Sequence, residues 1–306
     1  MDLRELRYIS ALARHGSVTR AAEELGITQP TLSRFLLAAE ERYGVRLFER
    51  IGKRLVITPS GREFVRRSQE ILRLGQQLED RMADLASRDG GHISLAITPS
   101  RAKHVLPNIL PDFHAKYPDH EIEIHEGSVL EVTRMLEEGL VNLGLFNIRG
   151  GGYPNLVLEE VCTEEILLCV GRDSPYPAMA QWRKGFHYPW IDLSRLGGEI
   201  FLASHGSFII GPVNKELLEY YDISPYIITT ADLDLNISLA ANGFGVCFCT
   251  EINADFCYIK KPPAFLSIGP EPVRVTFVAA YHKDSYLSEA ARDLIRITKR
   301  VFSKGG

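Results

Sequence analysis

Gln29, Thr31, Ser33 and Arg34 fall near the start of a segment whose apolar residues recur at helical spacing, and their side chains share one chemistry. In the major groove of DNA, Arg bonds guanine O6 and N7, Gln bonds adenine N6 and N7, and Ser or Thr suits a phosphate or a thymine methyl. Leu32, Phe35, Leu36 and Ala39 form the inner face of that helix, so the four polar residues point outward. Thr28 is the expected N-cap, accepting a backbone N–H, and Pro30 sits in the first turn, where a missing N–H costs nothing. Upstream, Ser17 caps a shorter helix with Thr19 and Arg20 in its first turn, and Val18, Ala21, Ala22 and Leu25 share one face before Gly26 stops it. Helix, glycine turn and helix is the layout of a helix-turn-helix that reads double-stranded DNA; an ordinary helical pair is the bland alternative.

The chain then offers two apolar stretches around a basic Gly52-Lys53-Arg54 tip, which reads as a wing. Arg50, Lys53 and Arg54 would neutralise phosphates beside the groove and supply the salt-dependent part of affinity. Charge partition agrees. Residues 1–67 carry 13 Lys plus Arg, 12 of them Arg, against 8 Asp plus Glu, so a net charge of −4 hides a head of +5 and a remainder of −9. Arginine, with its planar fork, suits bidentate base reading.

Residues 3–61 include Ala21-Ala22, Thr28-Gln29-Pro30-Thr31-Leu32-Ser33, Leu47-Phe48-Glu49-Arg50 and Thr58-Pro59-Ser60-Gly61. Through these motifs the stretch resembles the winged helix-turn-helix of LysR-type transcriptional regulators, and the rest of the chain follows that family's layout more loosely. The resemblance implies a homodimer or homotetramer on operator DNA, RNA polymerase as a partner if the protein activates, and a small-molecule effector with no resident cofactor. It also implies a C-terminal domain resembling periplasmic binding proteins, whose last strand and helix return to the first lobe. Two positions depart from the family pattern: Asn142, where an Asp often precedes the third strand of that lobe, and Cys249-Thr250, where Leu-Pro is common.

The 306 residues exceed what one ordinary core holds. The expected fold class is α+β and multi-domain: a winged helix-turn-helix at 1–58, a coiled-coil linker helix at 59–88 and a two-lobed α/β effector domain at 89–306. Within that domain, lobe 1 takes about 92–161 and 268–306, and lobe 2 about 162–267. Phe64, Ile71, Leu78 and Leu85 recur every seven residues in the linker, with Leu74 and Met82 between them, which predicts a coiled-coil seam with packing onto its own domain as the alternative. Ser87-Arg88-Asp89-Gly90-Gly91 reads as a hinge. Beyond it, strands are expected at 93–97, 121–126, 143–146, 165–170, 199–203, 226–230, 245–249 and 273–281. Helices are expected at 100–117, 128–138, 209–221, 233–242 and 288–302.

Ligands of open α/β lobes settle outside the carboxyl ends of strands, near helix N-termini. That rule selects Thr98, Pro99, Ser100 and Arg101, then Gly127 and Ser128, then Asn147 and Ile148 in the first lobe, with Ser204, His205, Thr229 and Thr230 facing them. Hydroxyls, helix dipoles and Arg101 favour a carboxylate or another small anion; each hydroxyl taken singly is more often a plain N-cap, so the weight rests on the set converging. His205 is either a ligand contact or a surface loop residue. Cys162, Cys169, Cys247, Cys249 and Cys257 form no Cys-x-x-Cys pair and no zinc spacing. Cys247 and Cys249 share a strand face, as buried small hydrophobes or, in a redox- or metal-responsive regulator, as an adjacent thiol pair. No phosphate loop, nucleophile elbow or HExxH supports an enzyme. The N-terminus is charged helix rather than a signal peptide, and no run suits a membrane span, so a cytoplasmic protein is expected.

Overall fold

The computed structural model describes residues 2–52, 54–86, 91–204 and 210–303. The chain divides into two compact units, the first built mainly from residues 1–86. It opens with α1 (Leu3–His15), α2 (Val18–Glu24), α3 (Gln29–Tyr43), β1 (Phe48–Ile51), β2 (Arg54–Ile57) and α4 (Pro59–Ala86). Ile9 and Leu12 of α1, Ala21 and Ala22 of α2, and Leu32, Leu36 and Ala39 of α3 close on Leu47 and Phe48 in one core. Gly26 makes the turn between α2 and α3 with φ of 62°, a left-handed conformation that glycine adopts without the penalty a Cβ brings. The wing is a two-stranded antiparallel ribbon paired from Phe48↔Ile57 to Ile51↔Arg54, and Lys53 lies outside the described residues.

Thr58 ties the wing to α4: its hydroxyl lies 2.7 Å from the Arg46 carbonyl and accepts the Gly61 N–H at 3.0 Å. A Cβ on Gly61 would stand 2.1 Å from the Leu47 carbonyl oxygen, so only glycine fits there. The 28 residues of α4 extend about 42 Å at 1.5 Å per residue. Leu74, Leu78 and Met82 are 56%, 63% and 53% exposed, an apolar stripe without cover in a single chain. Phe64 departs from the expected seam. It packs into the head's core against Tyr43, with ring centroids 5.3 Å apart. The Leu85 side chain and residues 87–90 of the hinge lie outside the described residues.

The second unit begins with β3 (His92–Ile97), α5 (Pro99–Lys116), β4 (Glu121–Glu126), α6 (Val129–Glu137), β5 (Leu143–Ile148) and β6 (Leu156–Val170). It continues through α7 (Tyr176–Met179), β7 (Ile200–Ser204), α8 (Ile210–Tyr220), β8 (Tyr226–Thr230), α9 (Leu233–Ala241), β9 (Cys247–Thr250), α10 (Glu251–Asp255) and β10 (Ala264–Ser267). It closes with β11 (Arg274–His282) and α11 (Glu289–Phe302). In lobe 1, β3 pairs in parallel with β4 and β5, while β11 runs antiparallel between β5 and β6. In lobe 2, the far end of β6 lies between β9 and β10, and β7 pairs in parallel with β8. Asn142 stitches β5 to β3, its side-chain oxygen accepting the Ser94 N–H at 2.7 Å.

Several elements differ from expectation, the short α7 among them. β6 starts at Leu156 rather than near Glu165, because its early glutamates hide a strand whose polar side chains find partners: Glu159 meets Lys299 and Glu164 meets Arg101. The strand therefore passes unbroken through the boundary expected at 161/162. α10 and β10 were not foreseen at all, being too short to show a period.

β11 and α11 return to lobe 1, where Leu294, Ile295 and Ile297 join Val105, Ile109 and Phe113 of α5 in a shared core. Asp293 locks that return by bonding Lys116, the Tyr117 hydroxyl at 2.7 Å and Arg296. The hydrogen bond from Lys116, followed by that from Tyr117, holds its carboxyl down to about 2 from an ordinary 3.8. A depressed acid contributes stability that is fully present above its unfolded pKa and is lost as pH falls from 3.8 toward 2. We predict that Asp293→Asn lowers stability at neutral pH by about 1–2 kcal/mol, roughly 2–8 °C in Tm. The difference from wild type should vanish in thermal melts taken below that window; an equal difference at every pH would contradict the assignment.

Candidate functional site

Gln29, Pro30 and Arg34 are exposed at the start of α3, with Thr31 and Ser33 half-buried beside them, and Thr19 and Arg20 exposed on α2. Arg20, Arg34, Arg50 and Arg54 have no carboxylate within ion-pair distance among the described residues, whereas Arg14, Arg42 and Arg46 are held by Glu24, Glu5 and Glu40. Arg34 only leans back on the Pro30 carbonyl, 3.4 Å from its Nε. Unpaired guanidinium groups remain available for phosphate and base edges. Ser17 is an N-cap, its hydroxyl accepting the Arg20 N–H at 3.5 Å. Thr28 is not a side-chain cap: its hydroxyl instead meets that of Thr31 at 2.8 Å, which leaves the first-turn amides of α3 without a side-chain partner from it. Sequence reading missed Glu40. Buried on the inner side of α3, its carboxylate accepts the N–H groups of Leu47 and Phe48 at 2.8 and 3.1 Å and so sets where the wing begins.

In the second unit a cavity of about 340 Å³ lies at the carboxyl ends of the strands of both lobes. Lobe 1 supplies Thr98, Pro99, Ser100 and Arg101 from the β3–α5 junction, Lys103 from α5, Glu126 from the end of β4, Val129 from α6 and Asn147 from β5. Lobe 2 supplies Ser204, Ile210, Asp232, Leu233, Thr250 and Asn253. Thr98 gives α5 no side-chain cap, so Ser100 and Arg101 begin the helix with amides that its hydroxyl leaves unpaired. The Ser204 hydroxyl is buried on the cavity wall and has no hydrogen-bond partner among the described residues. An orphan hydroxyl beside a void is a place for a ligand or a water.

Other expected contacts are elsewhere. Ser128 forms a reciprocal cap with Glu131, whose carboxylate accepts its N–H at 2.7 Å and is held below the usual range by that bond, and neither Ser128 nor Gly127 lines the cavity. Ile148 packs into the core beside α6. Thr230 spends its hydroxyl on Asn236 at 2.8 Å, and Thr229 is exposed away from the wall. His205 lies outside the described residues.

Arg101 lines the cavity as expected, but its guanidinium is engaged within the protein. Only 3% exposed, it forks onto Glu164, bonds Asn147 and lies 4.4 Å from the Phe277 ring centroid. Burial pushes its guanidinium down to about 9, still charged at neutral pH, and Glu164 already neutralises it. Its charge is therefore spent inside the protein rather than kept for an anion. The remaining cation on the wall, Lys103, is divided between Asp232 at 3.1 Å and Asp234 at 2.7 Å. Those ion pairs, with His104 to Asp234 at 3.2 Å and Asn253 to Ser100 at 3.2 Å, bridge the lobes beside the cavity. An Asp before a Leu-rich helix, as at Asp232, and a Thr at a strand end, as at Thr250, were the signals that sequence reading passed over.

The thiols form a cluster that sequence reading saw only in part. Cys169 on β6 stands opposite Cys247 and meets both Cys247 and Cys249; their hydrogen bonds lower the Cys169 thiol, while its bond and burial raise the other two. All three are fully buried in the lobe 2 core.

Residues 3–62 match the model for bacterial regulatory helix-turn-helix proteins of the lysR family, and residues 86–303 match the LysR substrate binding domain. The chain belongs to the LysR family of transcriptional regulators. A relative along the full chain is an uncharacterized HTH-type transcriptional regulator, YcgK, of Bacillus subtilis (strain 168), 26% identical over 100% of this chain and 97% of its own. A full-length OxyR variant from Pseudomonas aeruginosa has the same fold, with a TM-score of 0.64 at 20% identity over 99% of this chain and 95% of that one. Full-length CbnR in complex with its target DNA aligns with a TM-score of 0.58 at 23% identity, covering 98% and 100%. No helix among the described residues of this LysR-family chain is long and apolar enough to cross a membrane.

Since Arg101 and Glu164 neutralise each other in a buried site, removing one leaves the other as a buried unpaired charge. We predict that Arg101→Ala costs about 3–5 kcal/mol of stability by urea unfolding. Unfolding within about 1 kcal/mol of wild type, on the order of the cost of an exposed pair, would contradict a structural role.

Proposed function

We propose that this LysR-family regulator reads operator DNA with Gln29, Thr31, Ser33 and Arg34, sets register with Arg20, Arg50, Lys53 and Arg54 on phosphates, and responds to one small polar effector in the second unit. The observation that carries the effector reading is the cavity at the strand ends of both lobes, where the orphan Ser204 hydroxyl and the uncapped start of α5 converge. Its 340 Å³ suits a compact organic molecule. Neutral donors and the α5 dipole favour a carboxylate or a carbonyl acceptor there, held without a free cation. The effector works by population shift, binding more tightly to one arrangement of the lobes than another. The exposed stripe Leu74, Leu78 and Met82 supports pairing of α4 with a second copy, in a dimer or a tetramer that offers two recognition helices to two half-sites. CbnR bound to its target DNA supports the DNA reading by likeness of fold.

Redox control through the thiols is the second reading, favoured by the contact of Cys169 with Cys247 and Cys249 and opposed by their complete burial. In gel shifts on the upstream intergenic DNA, Arg34→Ala should lose sequence-specific binding by at least about tenfold, the order of one bidentate base contact, with its Tm unchanged. Ser100→Ala should keep operator affinity and blunt the shift caused by a responsive member of a panel of small acids and amides. Operator binding by Arg34→Ala equal to wild type would overturn the assigned face. A shift caused by peroxide, reversed by dithiothreitol and unmoved by every small molecule, would replace the effector reading with the redox one.

A further inference from the structure

The stretch 182–190, which carries Trp182, Phe186, Tyr188 and Trp190, delivers His187 to a pair of buried carboxylates. Glu165 on β6 and Glu251 at the start of α10 are each 1% exposed. With His187, each offers a ligand atom lying within 4.8 Å of the other two. The Glu165 N–H bonds the Glu251 carboxylate at 2.9 Å, the His187 N–H bonds the Glu165 carboxylate at 3.2 Å, and His187 Nδ1 stands 2.6 Å from Glu251 Oε1. One atom is left over: Glu165 Oε1 is buried and has no hydrogen-bond partner among the described residues.

Two carboxylates brought together out of water repel each other and forfeit hydration, and one imidazole balances one negative charge at most. A divalent cation would neutralise both carboxylates and give Glu165 Oε1 the partner it lacks.

We propose that Glu165, His187 and Glu251 form a binding site for a divalent transition metal of the Zn²⁺ class. Bonds of about 2.0–2.2 Å from imidazole and carboxylate to zinc place ligands roughly 3.3 Å apart, inside the span of these three atoms after a small opening of the His187–Glu251 contact. One imidazole with two carboxylates favours a borderline transition ion over Mg²⁺, which keeps most of its water, and over Ca²⁺, which takes six to eight oxygens. The His187 side chain is 49% exposed, which gives the ion an entry and water a remaining coordination position. Glu251 lies two residues before Asn253, which touches Ser100 at the cavity, so a bound ion would also pin the wall of α10 there. The site rests on this cluster alone and stands whether or not the effector reading holds.

The full-length protein, stripped with EDTA, is titrated with ZnCl₂ and separately with MgCl₂ by calorimetry, with bound metal counted after dialysis. The expected result is one equivalent of Zn²⁺ per chain at micromolar affinity or tighter, no comparable Mg²⁺ binding, and a Tm raised by zinc. Glu165→Gln and His187→Ala should each weaken binding at least about tenfold, and His187→Ala decides the matter should the buried variant fail to fold. Cobalt substitution keeps the thiol cluster apart: oxygen and nitrogen ligands give no thiolate charge-transfer band. Absence of a stoichiometric equivalent, equal affinity in His187→Ala, equal Mg²⁺ binding, or a thiolate band would each overturn the assignment.

Discussion

The passage of β6 from one lobe into the other is the constraint on which the regulatory unit depends. The strand pairs with β11 on one side of the crossing and with β9 and β10 on the other, so its middle is enclosed, and its middle carries Glu164 and Glu165. Alternation along a strand sends these neighbours to opposite faces. Each carboxylate, deprived of water, must be answered locally. Glu164 is answered by Arg101 and Asn147, which fixes the start of α5 and with it one wall of the cavity between the strand ends. Glu165 is answered only in part, by the backbone of His187, while its own N–H anchors Glu251 at the start of α10. Two walls of the cavity thus depend on two adjacent residues of one strand.

Electrostatics also separates what the arginines do. In the head, those at the back of the helices are tied to glutamates, while Arg20, Arg34, Arg50 and Arg54 have no such partner among the described residues. In the cavity the opposite holds, since Arg101 is consumed by the fold. An arginine at a helix start is a ligand contact only where no buried carboxylate reaches it first, and burial decides which case applies.

Local chemistry made the head legible in the sequence: a Ser cap, a glycine at positive φ, a proline in the first turn and apolar positions at helical spacing all act within a few residues. Strand ends and helix starts likewise located Thr98, Ser100, Asn147 and Ser204 around one cavity. What stayed hidden was non-local. Glu164 lies 63 residues from Arg101, so nothing in the local pattern shows that the pair cancels. Cys169 meets Cys247 only because β6 and β9 are neighbours, and Glu165, His187 and Glu251 meet through the same pairing with a loop laid over it. Thr28 and Ser128 mark the limit of cap reasoning, which names a hydroxyl but not the partner it chooses.

The central claim is that the buried Arg101–Glu164 pair is scaffold, and that the effector is held by the neutral donors around it. Replacing a buried ion pair by apolar residues of similar volume is often tolerated where removal of one partner is not. The most direct measurement is operator affinity as a function of effector concentration in the double variant Arg101→Met/Glu164→Met, beside wild type. The account predicts a folded protein whose response keeps its midpoint within about threefold, under about 1 kcal/mol. A double variant that folds and binds operator but no longer responds to effector would contradict it and return Arg101 to the ligand.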